Sequence, residues 1–162
     1  MNHTFDNYFE WLIPWEGSVY ENDPDDPGGA TKYGIDQRSH PTVNIRNLTK
    51  DAAKEIYRKE YWRAVAGDKL PPLTAWAVMD CAVNCGSRQA ARWLQRGLRI
   101  NDDGIIGSQT LEHSSLENDK ELAVAILDQR EAHYRALAKK GRFRKYLKGW
   151  LNRNNSLRGE LK

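Results

Sequence analysis

Glu16-Gly17-Ser18-Val19-Tyr20-Glu21-Asn22-Asp23-Pro24-Asp25-Asp26-Pro27-Gly28-Gly29-Ala30-Thr31-Lys32-Tyr33-Gly34-Ile35 is the stretch on which the reading of this 162-residue chain turns. Its middle, residues 22–29, is dense in Asn, Asp, Pro and Gly. These residues make turns through local side-chain hydrogen bonds, a fixed φ or a tolerance of positive φ. Residues 30–35 then fit a short strand or hairpin arm, and any β structure of the chain is expected here.

On either side the pattern is helical. Upstream, Phe5, Phe9, Leu12 and Ile13 recur at helical spacing with Tyr8, Trp11 and Trp15 alongside, and Thr4 is placed to cap them. Pro14 is expected to kink or end this helix, because it removes a backbone donor. Downstream, Thr49 heads a helix expected from 50 to about 64, and Pro71-Pro72 breaks the chain. Thr74 and Ser87 are expected to cap the next two helices, and residues 101–104 to turn. Helices over about 108–114 and 119–138 follow, then a last amphipathic one carrying Phe143, Tyr146, Leu147, Trp150 and Leu151. The fold class is therefore mainly α with one small β hairpin near residues 16–36. Two lobes of one compact body, 1–68 and 69–162, are expected to meet at a seam over 67–72.

A 40% hydrophobic and 29% charged composition excludes a disordered or fibrous chain. No stretch approaches the roughly 18 apolar residues of a membrane span. Met1-Asn2-His3-Thr4-Phe5-Asp6 lacks the basic and apolar regions of a signal peptide. Synthesis in the cytoplasm is the expectation, with any work outside needing an unconventional exit. Cys81 and Cys85 share one helical face and lack the further ligands of a zinc site, so they read as buried thiols. The net charge of +3 hides an asymmetry: residues 139–162 carry nine Lys/Arg against one acid, leaving −5 for residues 1–138. Such a tail suits an anionic surface, of which envelope polymers are favoured and nucleic acid is not expected.

Chemistry concentrates in the opening stretch. Glu16 follows Trp11 and Trp15, which are expected to desolvate it, and an apolar surround favours the protonated carboxyl that a general acid needs. Asp25 and Asp26 lie on a Pro-stiffened turn, with Thr31 after it. Glycosidic cleavage needs an acid on one side of the bond and a carboxylate on the other, as nucleophile or as base for water. Gly28-Gly29 would let the backbone pass close to a sugar. Calcium is the competing ligand for the three carboxylates, but the spacing and closing Glu of an EF-hand loop are missing. No metal and no cofactor are expected.

The spacing of Glu16, Asp25 and Thr31 resembles the Glu–Asp–Thr triad of phage-type lysozymes. The longer string, Glu16-Gly17 with residues 22–35, resembles the signature of glycoside hydrolase family 108, lysozyme-like N-acetylmuramidases. Trp76, Asp80, residues 83–86, Ala90, residues 93–95 and residues 103–110 resemble the predicted peptidoglycan-binding region paired with it. The resemblance implies a lysozyme-like two-lobed α+β fold with catalysis in the first lobe and wall binding in the second, next to a basic C-terminal helix. It also implies Glu16 as the acid and an Asp that, with Thr31, directs water. Family motif points to Asp26 and lysozyme spacing to Asp25. Ser18-Val19-Tyr20 replaces the usual Gly-Tyr, and Pro14 sits where the family is helical. Tyr20 and Tyr33 are the candidate sugar contacts beside the signature. Asn84 and Gln95, polar residues on apolar helical segments, are candidates for glycan or stem-peptide hydrogen bonds, and structural polars explain them equally well. Trp76 and Trp93 read as core.

The expected activity is hydrolysis of the β-1,4 bond between N-acetylmuramic acid and N-acetylglucosamine, by a monomer acting on peptidoglycan strands in the periplasm or cell wall. A holin-like membrane protein is the expected export partner. A lytic transglycosylase, or an inactive wall-binding or secretion-accessory protein, are the alternatives.

Overall fold

In the structure, a computed structural model that describes residues 2–23 and 28–162, the chain divides into two units. One is Thr4–Glu60. The other is Tyr61–Lys162 together with the residues ahead of Thr4. Seven α-helices, three short helical turns and a two-stranded hairpin make up the regular structure of the described residues, a mainly helical fold with its β structure in the predicted place.

The N-terminal unit opens with α1 (Phe5–Glu16), whose Thr4 hydroxyl oxygen accepts the Asn7 N–H at 3.3 Å. Phe5, Tyr8, Phe9, Leu12 and Ile13 are its buried stripe, the 3-and-4 spacing expected of a helix with one face inward. Pro14 does not end the helix, which runs on to Glu16. The bond that proline forfeits falls in the last turn, so no long ladder is broken. Gly17, at φ +80°, then closes the helix by donating its N–H to the Ile13 carbonyl at 3.0 Å.

β1 (Thr31–Lys32) and β2 (Ile35–Asp36) pair antiparallel, with Thr31 opposite Asp36 and Lys32 opposite Ile35. Glu21 extends the ladder through two backbone bonds with Thr31, at 2.9 and 2.8 Å. α2 (Lys50–Tyr57) is capped by Thr49 and tied to α1 by charge. Lys54 and Arg58 reach Asp6 at 2.9 and 2.8 Å, and Lys50 reaches Glu10 at 2.6 Å. The single helix expected to reach residue 64 stops at Tyr57 and continues as a π-helical turn, Arg58–Trp62. Trp62 at the end of that turn donates its indole N–H to Asp68 at 2.8 Å and lies so close on Gly67 that no Cβ would fit there.

In the C-terminal unit α3 (Pro72–Cys85) is buried without a break from Thr74 to Ala82, its two polar members Thr74 and Asp80 included. α6 (Asp119–Ala138) and α4 (Ser87–Gly97) are its chief neighbours. α7 (Leu147–Glu160) lies on α6, and α5 (Ser108–Leu116) leads into it. Two expected caps are corrected. α3 starts at Pro72, with Thr74 already inside it, and α4 starts from Gly86 with Ser87 as its first helical residue and no side-chain cap. Trp76 and Trp93 are core, and Cys81 is a buried thiol that burial pushes up to about 12. Six basic residues between Lys139 and Lys148 are exposed, whereas Arg153 and Arg158 are turned back onto acids of the same unit. Among the described residues no helix is long and apolar enough to cross a membrane.

Candidate active site

Glu16 is the last residue of α1, half-buried, at the point where the chain leaves the helix for the turn-rich stretch. The expected aromatic shield is partial. Trp11 is half-buried, but Trp15, 6.2 Å from it ring to ring, is 40% exposed. What does meet Glu16 is the hairpin turn. A Cβ built on Gly34 would stand 2.7 Å from the Glu16 Oε2 and would collide with the Tyr57 hydroxyl. The carboxylate and the phenol therefore flank the bare backbone of Gly34.

Tyr33 and Gly34 form a two-residue connection with both φ values positive, +54° and +73°. That is the type I′ hairpin turn, whose twist matches that of the paired strands. The Tyr57 hydroxyl donates to the Tyr33 carbonyl at 2.9 Å, so the C-terminal end of α2 holds the turn in place. Phe9 of α1 packs on the Tyr57 ring at 5.8 Å, which links the helix carrying Glu16 to the residue that fixes the hairpin. Tyr57 and Gly34 are the functional residues that sequence reasoning missed. The available signal for Tyr57 was that a buried phenol needs a hydrogen-bond partner.

Thr31 is half-buried on β1, its backbone engaged by Glu21 and its hydroxyl directed to the Gly29 carbonyl at 3.4 Å. Tyr33 is half-buried in the turn itself, with the Lys32 ammonium 5.4 Å from its ring centre. Tyr20 is half-buried under the Arg46 guanidinium, 4.7 Å from its ring. Thus the hairpin sets Gly34 of its turn against Glu16 and carries Thr31 on its first strand. Asp25 and Asp26 lie outside the described residues.

The other two candidates belong to the C-terminal unit. Gln95, expected as a glycan contact or as a structural polar, is buried. Its amide nitrogen donates to Asp103 Oδ1 at 2.8 Å, the Ile105 carbonyl at 2.9 Å and Thr110 Oγ1 at 3.2 Å, and its oxygen accepts the Gly104 N–H at 2.8 Å. It clasps the 103–107 loop to α4, and both of its amide hydrogens are used within the unit. Asn84, by contrast, is exposed near the end of α3 and uses its amide nitrogen on the Asp80 carbonyl at 2.8 Å.

Beneath it lies a buried charge cluster. The Asp80 carboxylate receives Arg130 Nη1 at 2.5 Å and Arg153 Nη2 at 2.6 Å, and Arg130 Nε donates to Asn154 at 2.8 Å. Burial would push the Asp80 carboxyl up, but the two guanidinium charges outweigh it and hold it down at about 2.

A mainly helical chain with its half-buried glutamate set on a small β hairpin belongs to a defined class, and the sequence agrees. Residues 9–86 match the Glycosyl hydrolase 108 family and residues 89–155 match the Predicted Peptidoglycan domain. The chain belongs to the glycosyl hydrolase 108 family, and the two matches together describe a peptidoglycan hydrolase. A solved structure, SagA of Brucella abortus, is similar to it at 32% identity. That similarity covers 97% of this chain and 92% of the other, with a TM-score of 0.82. Among curated proteins no sequence matches this chain.

Proposed function

We propose that this protein is an N-acetylmuramidase, hydrolysing the β-1,4 bond between N-acetylmuramic acid and N-acetylglucosamine with Glu16 as general acid. The observation that carries the reading is the fixed position of the Glu16 carboxylate, at the end of α1 against the Tyr33–Gly34 turn, in a family of glycosidases. Glu16 protonates the leaving glycosidic oxygen. A second carboxylate, Asp25 or Asp26, acts from the other face of the sugar with Thr31. The Thr31 hydroxyl gives its proton toward the Gly29 carbonyl, which leaves its oxygen lone pairs to accept from a water. Tyr20 and Tyr33 offer ring faces to the glycan beside this centre. The enzyme acts on the wall side of the inner membrane after a holin-type release, and the exposed basic residues between Lys139 and Lys148 favour its retention on anionic envelope polymers.

Clearance of purified sacculi by wild type and by Glu16→Gln, with mass spectrometry of the fragments, tests this. The amide keeps the shape of the acid but cannot donate the proton, so the rate is expected to fall by about 10²- to 10⁴-fold. Reducing muramic ends are expected in the wild-type digest. Ends of the 1,6-anhydro type would make it a lytic transglycosylase, and no clearance by either form, with both sedimenting on sacculi, would make it a binding protein.

A further inference from the structure

The C-terminal unit contains a cavity of about 250 Å³ that the hydrolytic reading does not use, set among the ends of α3 and α4 and the facing sides of α6 and α7. Asn84, Gln89 and His133 bring polar groups to it, and Tyr134, Leu137 and Trp150 form its apolar wall. The polar groups are available. Asn84 uses only its amide nitrogen, on the Asp80 carbonyl, while the Gln89 amide and both His133 ring nitrogens make no hydrogen bond to a described residue. The His133 ring is oriented by an edge contact with Trp93, 5.5 Å between centroids. Burial, and then the Lys140 charge, push His133 below its ordinary value, so near neutral pH it presents one donor and one acceptor.

The wall is a stack of rings. Tyr134 and Trp150 lie 4.8 Å apart at 25°, and Tyr146 continues the stack beyond Trp150 at 5.8 Å. No carboxylate lines the cavity. The charge near it is positive: Lys140 is close enough to act on His133, and the Arg130 guanidinium lies 5.9 Å from the Tyr134 ring centre. Asp80 faces both Arg130 and Arg153, which leaves that cluster one positive charge in surplus, and Arg130 Nη2 is buried with no hydrogen-bond partner.

An apolar ring wall, two amides, a neutral imidazole and a positive surround match one kind of ligand. A pyranose offers a C–H face to the rings, an N-acetyl group takes one donor and one acceptor, and an acidic substituent answers the surplus charge. The volume falls below the range of about 300–1,000 Å³ for whole small-molecule sites, which suits a single ring of a polymer. We propose that this cavity is a non-catalytic subsite that holds one muramic residue of a peptidoglycan strand, its carboxylate toward Lys140. The identity of the occupant rests on the peptidoglycan reading above, and the site itself does not depend on Glu16.

The test is titration of the Glu16→Gln protein, in which cleavage is slowed, with the N-acetylglucosaminyl-muramic disaccharide and with neutral chitobiose, followed by NMR at the Trp150 indole N–H. Saturable shifts of that resonance are expected. Gln89→Ala and Asn84→Ala each remove a surface amide and are expected to weaken the binding read there by about fivefold, the loss of roughly one hydrogen bond. Chitobiose is expected to bind more weakly than the muramic disaccharide, with the gap closing as salt is raised. Binding of the disaccharide without a shift at Trp150, or a shift unaffected by the Asn84→Ala/Gln89→Ala pair, would overturn the proposal. Trp150 shifts in a protein whose wild type clears no sacculi would leave the subsite standing and remove the muramidase instead.

Discussion

Gly34 owes its place to two demands that only glycine meets. The I′ turn needs a positive φ there, and the Glu16 carboxylate and Tyr57 hydroxyl occupy the space a side chain would take. Gly34→Ala must therefore displace Glu16, Tyr57 or the turn. We expect activity on sacculi to fall about 100-fold, since a shift of about 1 Å at a catalytic group has that effect, while far-ultraviolet circular dichroism stays unchanged. Retained activity would show that Glu16 is not held by the hairpin. At this scale Glu16 was legible because its neighbours form a long, unusual string. Gln95 was legible as a polar residue on an apolar helix but not in its role, since its partners at 103–110 are brought round by a turn that periodicity does not reveal.

Helix ends divide the elements into those decided locally and those decided from a distance. Thr4, Thr49 and Asn118 each cap from one residue ahead of the helix, and the first two were expected from sequence. α3 is capped instead by Asp119, the first residue of α6. Its carboxylate accepts the Leu73 N–H at 2.9 Å, the Thr74 N–H at 2.7 Å and the Thr74 hydroxyl at 2.8 Å. No spacing rule reaches across a separation of 45 positions. Asp119→Ala would leave the Leu73 and Thr74 N–H groups without acceptors, the Thr74 hydroxyl keeping the Asp119 carbonyl, and a loss of about 2–3 kcal/mol is expected from urea unfolding. Asp119→Asn should recover part of it, because the amide oxygen can still accept.

For the molecule as a whole, the Asp80 cluster joins α3, α6 and α7 through one carboxylate. Its folded value of about 2 lies below the ordinary 3.8, so its contribution is fully present above pH 4 and is lost as pH falls from about 4 toward 2. The difference is worth about 2 kcal/mol. Acid unfolding in that window is expected to weaken in Asp80→Asn. The variant itself should be less stable by about 3–5 kcal/mol at neutral pH, because the buried Arg130 and the partly buried Arg153 lose their counter-charge. An unchanged acid limb would place the acid sensitivity elsewhere.

By itself the sequence determined the helical class, the position of the hairpin, the long helix from 119 to 138 and the family-bearing glutamate. All of these depend on residues within a turn or two of one another, where periodicity, capping and turn chemistry operate. Only the tertiary structure decided that the Tyr33–Gly34 turn, fixed by Tyr57, meets Glu16, that Asp119 starts α3 and that Gln95 is a clasp. It alone brought Asn84, Gln89 and His133 to one cavity. Each of these is a contact between distant segments. The chain specifies such contacts through packing and the pairing of buried polar groups, which no local pattern records.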